Sequence, residues 1–187
     1  MNNLEHPGDS VTLKGKVIVV TGGSRGLGAE MCAAFSEAGA KVIVNYNTSN
    51  TAAEAIVSCL HEKGCEALAV QADVADEQQV IQLIKHAGDS FGRIDVLINN
   101  AGVNSDFRVE ELAVEEWDRV MAVNLRGTFL CSKHVIPFMR KGGYGRIINM
   151  SSNGVRKGSI NHAHYSAAKV GIIGFTRSLA RELGGDG

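Results

Sequence analysis

Tyr165 and Lys169 stand at i and i+4 in a stretch whose apolar residues recur with a helical period from about His164 to Leu183, so their side chains leave one helix face. Ser152 lies thirteen residues before Tyr165, just past a β-branched run at Arg146–Met150. A free phenol has a pKa near ~10 and is a poor base at neutral pH. An adjacent ammonium favours the phenolate, and Lys169 is placed to supply one. Singly, the three residues have ordinary readings: an amphipathic helix position, a solvated charge and a loop hydroxyl. As a set they suit proton transfer at a carbonyl or alcohol oxygen, with Ser152 hydrogen-bonding that oxygen.

A second group suits anion binding. Thr21-Gly22-Gly23-Ser24-Arg25-Gly26-Leu27-Gly28 follows a short apolar run and leads into a helical pattern. Glycines at 22, 26 and 28 permit a tight turn and close backbone approach, and a helix N-terminus offers unpaired N–H groups to a pyrophosphate. The loop lacks the lysine of an ATP-hydrolysing phosphate loop. At the end of the second predicted strand, where an acidic side chain would grip a ribose 2′-hydroxyl, stand Asn45, Tyr46 and Asn47, none of them acidic. Arg25 suits a 2′-phosphate, with Asn47, Thr48 and Ser49 as hydrogen-bond donors. NADP(H) is therefore favoured, with NAD(H) as the alternative. Asp73-Val74 and Asn99-Asn100-Ala101-Gly102 follow the third and fourth predicted strands. Turn chemistry alone would explain either, but both fall on the rim where open α/β sheets bind ligands.

The elements that must hold these groups alternate. Strands are expected at Lys16–Thr21, Lys41–Asn45, Ala67–Gln71, Ile94–Asn99 and Arg146–Met150. Helices are expected to about Ala38, Lys63 and Phe91, over about Val114–Met139, and from His164 to Leu183. This predicts an α/β fold, a doubly wound and mostly parallel sheet in three α/β/α layers. Gly39, Gly64 and Gly92 sit where helices must stop, and Asp76 with Gln79 forms a capping-box pattern. Residues 1–13 read as a flexible leader, and 14–187 as one dinucleotide-binding and catalytic domain.

The composition narrows the function further. The net charge is -1 with both signs scattered, which disfavours nucleic acid and membrane surfaces as partners. The apolar runs are far shorter than the roughly 20 residues that span a bilayer, and no signal-peptide layout precedes them. Cys32, Cys59, Cys65 and Cys131 are irregularly spaced and read as reduced thiols of a cytoplasmic protein. His162 and His164 have no metal-ligand spacing around them and are expected in loop roles, so no metal is expected. Trp117 reads as packing, and Asp95 as structural.

Thr-Gly-x-x-x-Gly-x-Gly, Asp73-Val74, Asn100-Ala101-Gly102, Asn124 and Ser152-x12-Tyr165-x3-Lys169 together resemble the short-chain dehydrogenase/reductase family, most nearly its 3-oxoacyl-(acyl carrier protein) reductase-like group. The match runs from Lys14 onward. It implies a Rossmann fold and hydride transfer between a nicotinamide and a carbonyl or secondary alcohol, with a ketone or 3-oxoacyl thioester as substrate. It implies that Tyr165 exchanges the proton, Ser152 binds the oxygen, and Lys169 holds the ribose and tunes Tyr165. Asn124, otherwise a polar residue in an apolar helix pattern, would hold a water joining Lys169 to solvent. Asp73 and Val74 would lie by the adenine, and Asn100 to Gly102 along the cofactor. Family members pair through the helices matching 114–139 and 164–183, which implies a homodimer. They also continue past the Tyr-Lys helix, whereas this chain ends at Gly187. The expectation is a fold lacking the family's last strands, with Arg146–Met150 as an edge strand and marginal stability. Two alternatives stay open: an inactive or weak nucleotide-binding fragment, and an NAD-dependent sugar or alcohol dehydrogenase.

Overall fold

The computed structural model describes residues 12–186; residues 1–11 of the expected leader and Gly187 lie outside them. The chain is tied down from Leu13, whose N–H donates to the Ala38 carbonyl at 2.8 Å. Five strands form one parallel sheet: β1 (Val17–Val20), β2 (Lys41–Tyr46), β3 (Ala67–Gln71), β4 (Val96–Asn99) and β5 (Arg146–Asn149). Their order is β3-β2-β1-β4-β5. The chain therefore crosses from the β3 edge back to the far side of β1, opening a crevice at the carboxyl ends of β1 and β4.

Burial on both faces explains why the central strands are almost wholly apolar. Val19, Ile43 and Leu97 pack on one side with α3 (Glu77–Phe91) and α5 (Gly127–Gly142). Ile18, Val20, Val44 and Ile98 pack on the other with α1 (Gly26–Glu37) and α2 (Asn50–Glu62). These are the expected three layers. β5 is an edge, and Ile148 on it is 47% exposed. No helix among the described residues is long and apolar enough to cross a membrane.

Two expectations change in detail. The Asp76 side chain does cap α3, accepting the Gln79 N–H at 3.1 Å. Gln79 Oε1, however, accepts the N–H of Asp73 at 2.9 Å, so the box closes on the residue that follows β3 and Ala72. The predicted helix over Val114–Met139 is also not continuous. It consists of α4 (Val114–Met121), a π turn at Ala122–Arg126, and α5. Asn124 Nδ2 donates to the Val120 carbonyl at 2.9 Å, taking an acceptor that the helix ladder would otherwise use, and the turn widens around it. The last helix, α6 (Ala163–Leu183), runs as expected.

Candidate active site

The phosphate loop is shaped by its glycines. Gly22 has φ 61°, a left-handed conformation, and a Cβ on Gly28 would stand 2.2 Å from the Gly22 carbonyl oxygen and 2.7 Å from Asn100 Nδ2. α1 starts at Gly26 with no side chain capping it, so its first N–H groups and dipole end are left for an anion. Asn100 Nδ2 donates to the carbonyls of Thr21 and Gly22 at 3.0 and 3.1 Å. Thr21 Oγ1 accepts the N–H groups of Asn100 and Ala101, each at 3.0 Å. Thr21 itself is buried and does not line the cleft; it knits the glycine loop to the turn after β4.

A cleft of about 580 Å³ opens above this cradle, and Gly22, Ser24 to Gly28, Asn45 to Ser49, Asp73, Val74 and Asn100 to Gly102 all line it. The predicted nucleotide-binding residues other than Thr21, Tyr165 and Lys169 are thus gathered on one wall-to-wall surface. Their side chains are not equally available. Asn45 is 1% exposed; its Oδ1 accepts the Gly22 N–H at 3.2 Å and its Nδ2 points at the carbonyls of Tyr46, Val70 and Ala72. The Tyr46 hydroxyl is bound to Asn50. Asn47, Thr48 and Arg25 remain at the surface. Asp73 Oδ1 accepts the Ala75 N–H at 2.8 Å.

Of the remaining candidates, Asn124 and Lys169 meet at Gly102, with the Tyr165 ring beside Lys169. Lys169 is 4% exposed, its Nζ donates to the Met150 carbonyl at 2.9 Å, and it lies 5.6 Å from the centre of the Tyr165 ring. No carboxylate pairs with it among the described residues, and burial pushes its pKa down to about 8. Asn124 is fully buried; its Nδ2 also donates to the Val103 carbonyl at 2.8 Å, and its Oδ1 has no hydrogen-bond partner among the described residues. A Cβ on Gly102 would stand 2.8 Å from that Oδ1 and 3.6 Å from Lys169 Nζ. The orphaned acceptor and the buried ammonium therefore converge on one glycine at the cleft. Ser151 Oγ donates to the Lys169 carbonyl at 2.9 Å, and Ser152 Oγ accepts the Gly154 N–H at 3.2 Å. Lys169, Met150 and Ser151 so join the end of β5 to α6.

Some residues at the site escape a reading of local pattern. Arg119, Val103 and Val123 also line the cleft, and each reads in sequence as an ordinary helix or loop residue. His164 is not in a loop role: it is in the first turn of α6, fully buried, with Nε2 2.8 Å from Ser105 Oγ. Asp95 is structural as expected, buried between Arg93 and Lys16 and accepting the Val17 N–H at 2.9 Å.

A nucleotide fits what is present: a cradle that a Cβ on Gly28 would fill, uncapped helix N–H groups, and two buried polar groups that meet at Gly102 on the cleft wall. A sequence model of the short chain dehydrogenase family matches residues 16–187. A 3-oxoacyl-(acyl-carrier-protein) reductase of Synechocystis sp. is 47% identical over 175 residues, covering 94% of this chain and 71% of that protein. The 3-oxoacyl-(acyl-carrier-protein) reductase FabG of Staphylococcus aureus is 42% identical over 172 residues, 92% of this chain and 70% of that one. A short-chain type dehydrogenase/reductase of Picea abies is 41% identical, with 92% and 67% covered.

Proposed function

The chain belongs to the short chain dehydrogenase family, a family of NAD(P)-linked oxidoreductases acting on CH–OH and carbonyl groups, and from that premise we propose that it is an NADP(H)-dependent reductase of 3-oxoacyl thioesters or similar ketones. The observation that carries the reading is the convergence of Asn124 Oδ1 and Lys169 Nζ at Gly102, a residue of the cleft wall, with the Tyr165 ring beside Lys169. The names of the Synechocystis and Staphylococcus relatives support the thioester substrate.

In this reading Gly22 to Gly28 and the first turn of α1 hold the pyrophosphate. Asp73 and Val74 flank the adenine, while Asn100, Ala101 and Gly102 line the path between the two ends. Arg25, Asn47 and Thr48 hold a 2′-phosphate, since no acidic side chain stands at that rim to repel it. A bound nicotinamide supplies or accepts the hydride. Tyr165 gives its hydroxyl proton to the oxygen of a ketone being reduced, and Ser152 donates a hydrogen bond to the same oxygen. The Lys169 ammonium, 5.6 Å from the phenol ring centre, stabilises the phenolate left behind. The ammonium passes a proton back to that phenolate, and a water that donates a hydrogen bond to Asn124 Oδ1 returns one from solvent to the Lys169 amine.

The protein acts in this reading as a cytoplasmic homodimer. The described cysteines are all free thiols, in keeping with a reducing compartment. Phe129 and Val170 are 44% and 50% exposed on α5 and α6, and a paired face would cover them. Sizing chromatography tests the dimer.

The activity is tested by titrating NADPH and NADH and assaying 3-oxoacyl thioesters. Tyr165→Phe should abolish turnover and leave nucleotide affinity unchanged. Tighter binding of NADH, or turnover retained by the phenylalanine variant, would overturn the corresponding part of the assignment.

A further inference from the structure

The first turn of α6 starts a second polar chain, which runs from the buried His164 outward to the surface and which the chemistry above does not use. His164 Nε2 lies 2.8 Å from Ser105 Oγ, and the Ser105 hydroxyl donates to Glu116 Oε1. Glu116 is gripped by Arg119, with Nε and one terminal nitrogen each at 2.7 Å. Hydrogen bonds from Arg119 and Ser105 hold its carboxyl down to about 2, so it is an acceptor at any working pH. Ser105 has one proton and gives it to that carboxylate. Its oxygen must then accept from His164, which fixes the imidazole as the Nε2–H tautomer. Nδ1 is left as a bare acceptor, buried and without a partner among the described residues.

The segment reached by this bond is also clasped elsewhere. The Phe107 N–H donates to the Asn161 carbonyl at 3.0 Å, with Asn161 at φ 63°, a conformation that costs a non-glycine residue energy. His162 Nε2 lies 3.8 Å from Asp106 Oδ2. At its start the segment is held by Asn124 through the Val103 carbonyl. Segment 103–107 thus runs from the cleft, where Val103 lines it, to the loop that enters α6 immediately before Tyr165.

We propose that His164 is a positioning residue: as an Nε2–H donor to Ser105 it locks segment 103–107 against the first turn of α6 and so sets the wall of the carbonyl site beside Tyr165. The carbonyl site rests on the function proposed above; the lock itself does not. The charged and titratable groups around the imidazole are Glu116 and Arg119 from α4, and His162 with its partner Asp106 from the two clasped loops. Burial lowers the ring's pKa against the pull of Glu116, and a proton on Nδ1 would be a buried donor with nothing among the described residues to receive it.

Three variants test the lock: His164→Phe keeps a ring and loses the donor, His164→Gln keeps a donor, and Ser105→Ala removes the acceptor. Amide exchange of segment 103–107, read without substrate or nucleotide, should quicken about tenfold in the phenylalanine and alanine variants, as loss of one part-buried hydrogen bond implies. KM for a 3-oxoacyl thioester should rise about tenfold in both while NADPH affinity holds, and glutamine should recover all but about threefold. The double variant should be no worse than either single one. The nitrogen-15 spectrum of wild-type His164 should show the Nε2–H tautomer. Unchanged exchange in a folded phenylalanine variant, glutamine no better than phenylalanine, or an Nδ1–H tautomer would overturn the lock. Absence of carbonyl turnover in the wild type would instead overturn the assigned reaction, since exchange reads the lock without it.

Discussion

Lys169 Nζ is hydrogen-bonded to the carbonyl of Met150 at 2.9 Å, two residues before Ser152. The ammonium hangs from the same stretch of backbone that carries the serine, so the spacing between Lys169 and Ser152 is held by the chain itself and not by a charge partner.

That arrangement makes Lys169 a burden on folding. Burial pushes it down to about 8, against ~10.4 for a free lysine. Below about pH 8 the amine is charged in both folded and unfolded chains and the full penalty, on the order of 3 kcal/mol, opposes folding. The penalty fades as the pH rises from about 8 to about 10.4, because only the unfolded chain still holds the proton there. Lys169→Met should lose turnover yet gain about 1–3 kcal/mol at neutral pH, after deducting the Met150 hydrogen bond. The gain should shrink at about pH 10, which urea unfolding at the two pH values measures.

Gly26 and Gly28 separate two uses of glycine in one loop. At Gly28 a methyl would strike the Gly22 carbonyl at 2.2 Å, whereas Gly26 has open space but φ 52°. Gly26→Ala should cost about 1–2 kcal/mol of stability and weaken nucleotide binding mildly. Gly28→Ala forces Gly22 away from Asn100 and should cost about tenfold or more in nucleotide affinity, since each lost contact of the cradle is worth about 1 kcal/mol or more. Fluorescence titration with NADPH separates the two.

The rim after β2 should respond to charge at Asn47 and not at Asn45. Asn47→Asp puts a carboxylate at an exposed position of the cleft and should shift the NADPH to NADH preference by about tenfold towards NADH. Asn45→Asp puts one against the carbonyls of Tyr46, Val70 and Ala72, which Nδ2 now serves. It should destabilise the fold by about 3 kcal/mol without becoming a ribose ligand. Dissociation constants for both nucleotides, with unfolding midpoints, check the pair.

Asp95 controls acid stability at the opposite end of the sheet. Burial alone would raise its carboxyl, but hydrogen bonds from Arg93, the Val17 N–H and Lys16 outweigh burial and leave it below the ordinary value. Its stabilisation is therefore complete above about pH 4 and is lost as the pH falls through the lowered value. Asp95→Asn should cost about 3 kcal/mol at neutral pH and flatten the acid limb of a pH-unfolding curve.

The glycine loop, the strand and helix order and the Tyr165–Lys169 face were legible because each depends on neighbours in sequence: a turn, a period of two or of 3.6, and an i to i+4 step. What was not legible depends on partners far along the chain. Asn45 reads as a strand end facing ligand, but its partners Gly22, Val70 and Ala72 bury it. His164 reads as a loop histidine because Ser105 and Glu116 arrive from the other side of the β4 turn. The π turn is hidden because one extra residue leaves an apolar pattern that still reads as a helix; the polar Asn124 within it was the only local sign. Arg119 lines the cleft from a helix whose exposed face is otherwise charged, so nothing in its surroundings marks it out.

The π turn at Ala122–Arg126 has a bearing on how this chain tolerates insertion and deletion. A π turn is an α-helix that has absorbed one additional residue while the flanking turns keep their faces. Deleting Val123 would let the segment heal into an unbroken helix with Val120, Val135 and Met139 still turned to the core. The shortening would take Val123 from the cleft wall and the edge of the core, and Asn124 would lose its aim. The extra residue at this seam therefore goes with the aim of Asn124 Oδ1 at Gly102, while Lys169 reaches the same glycine from α6.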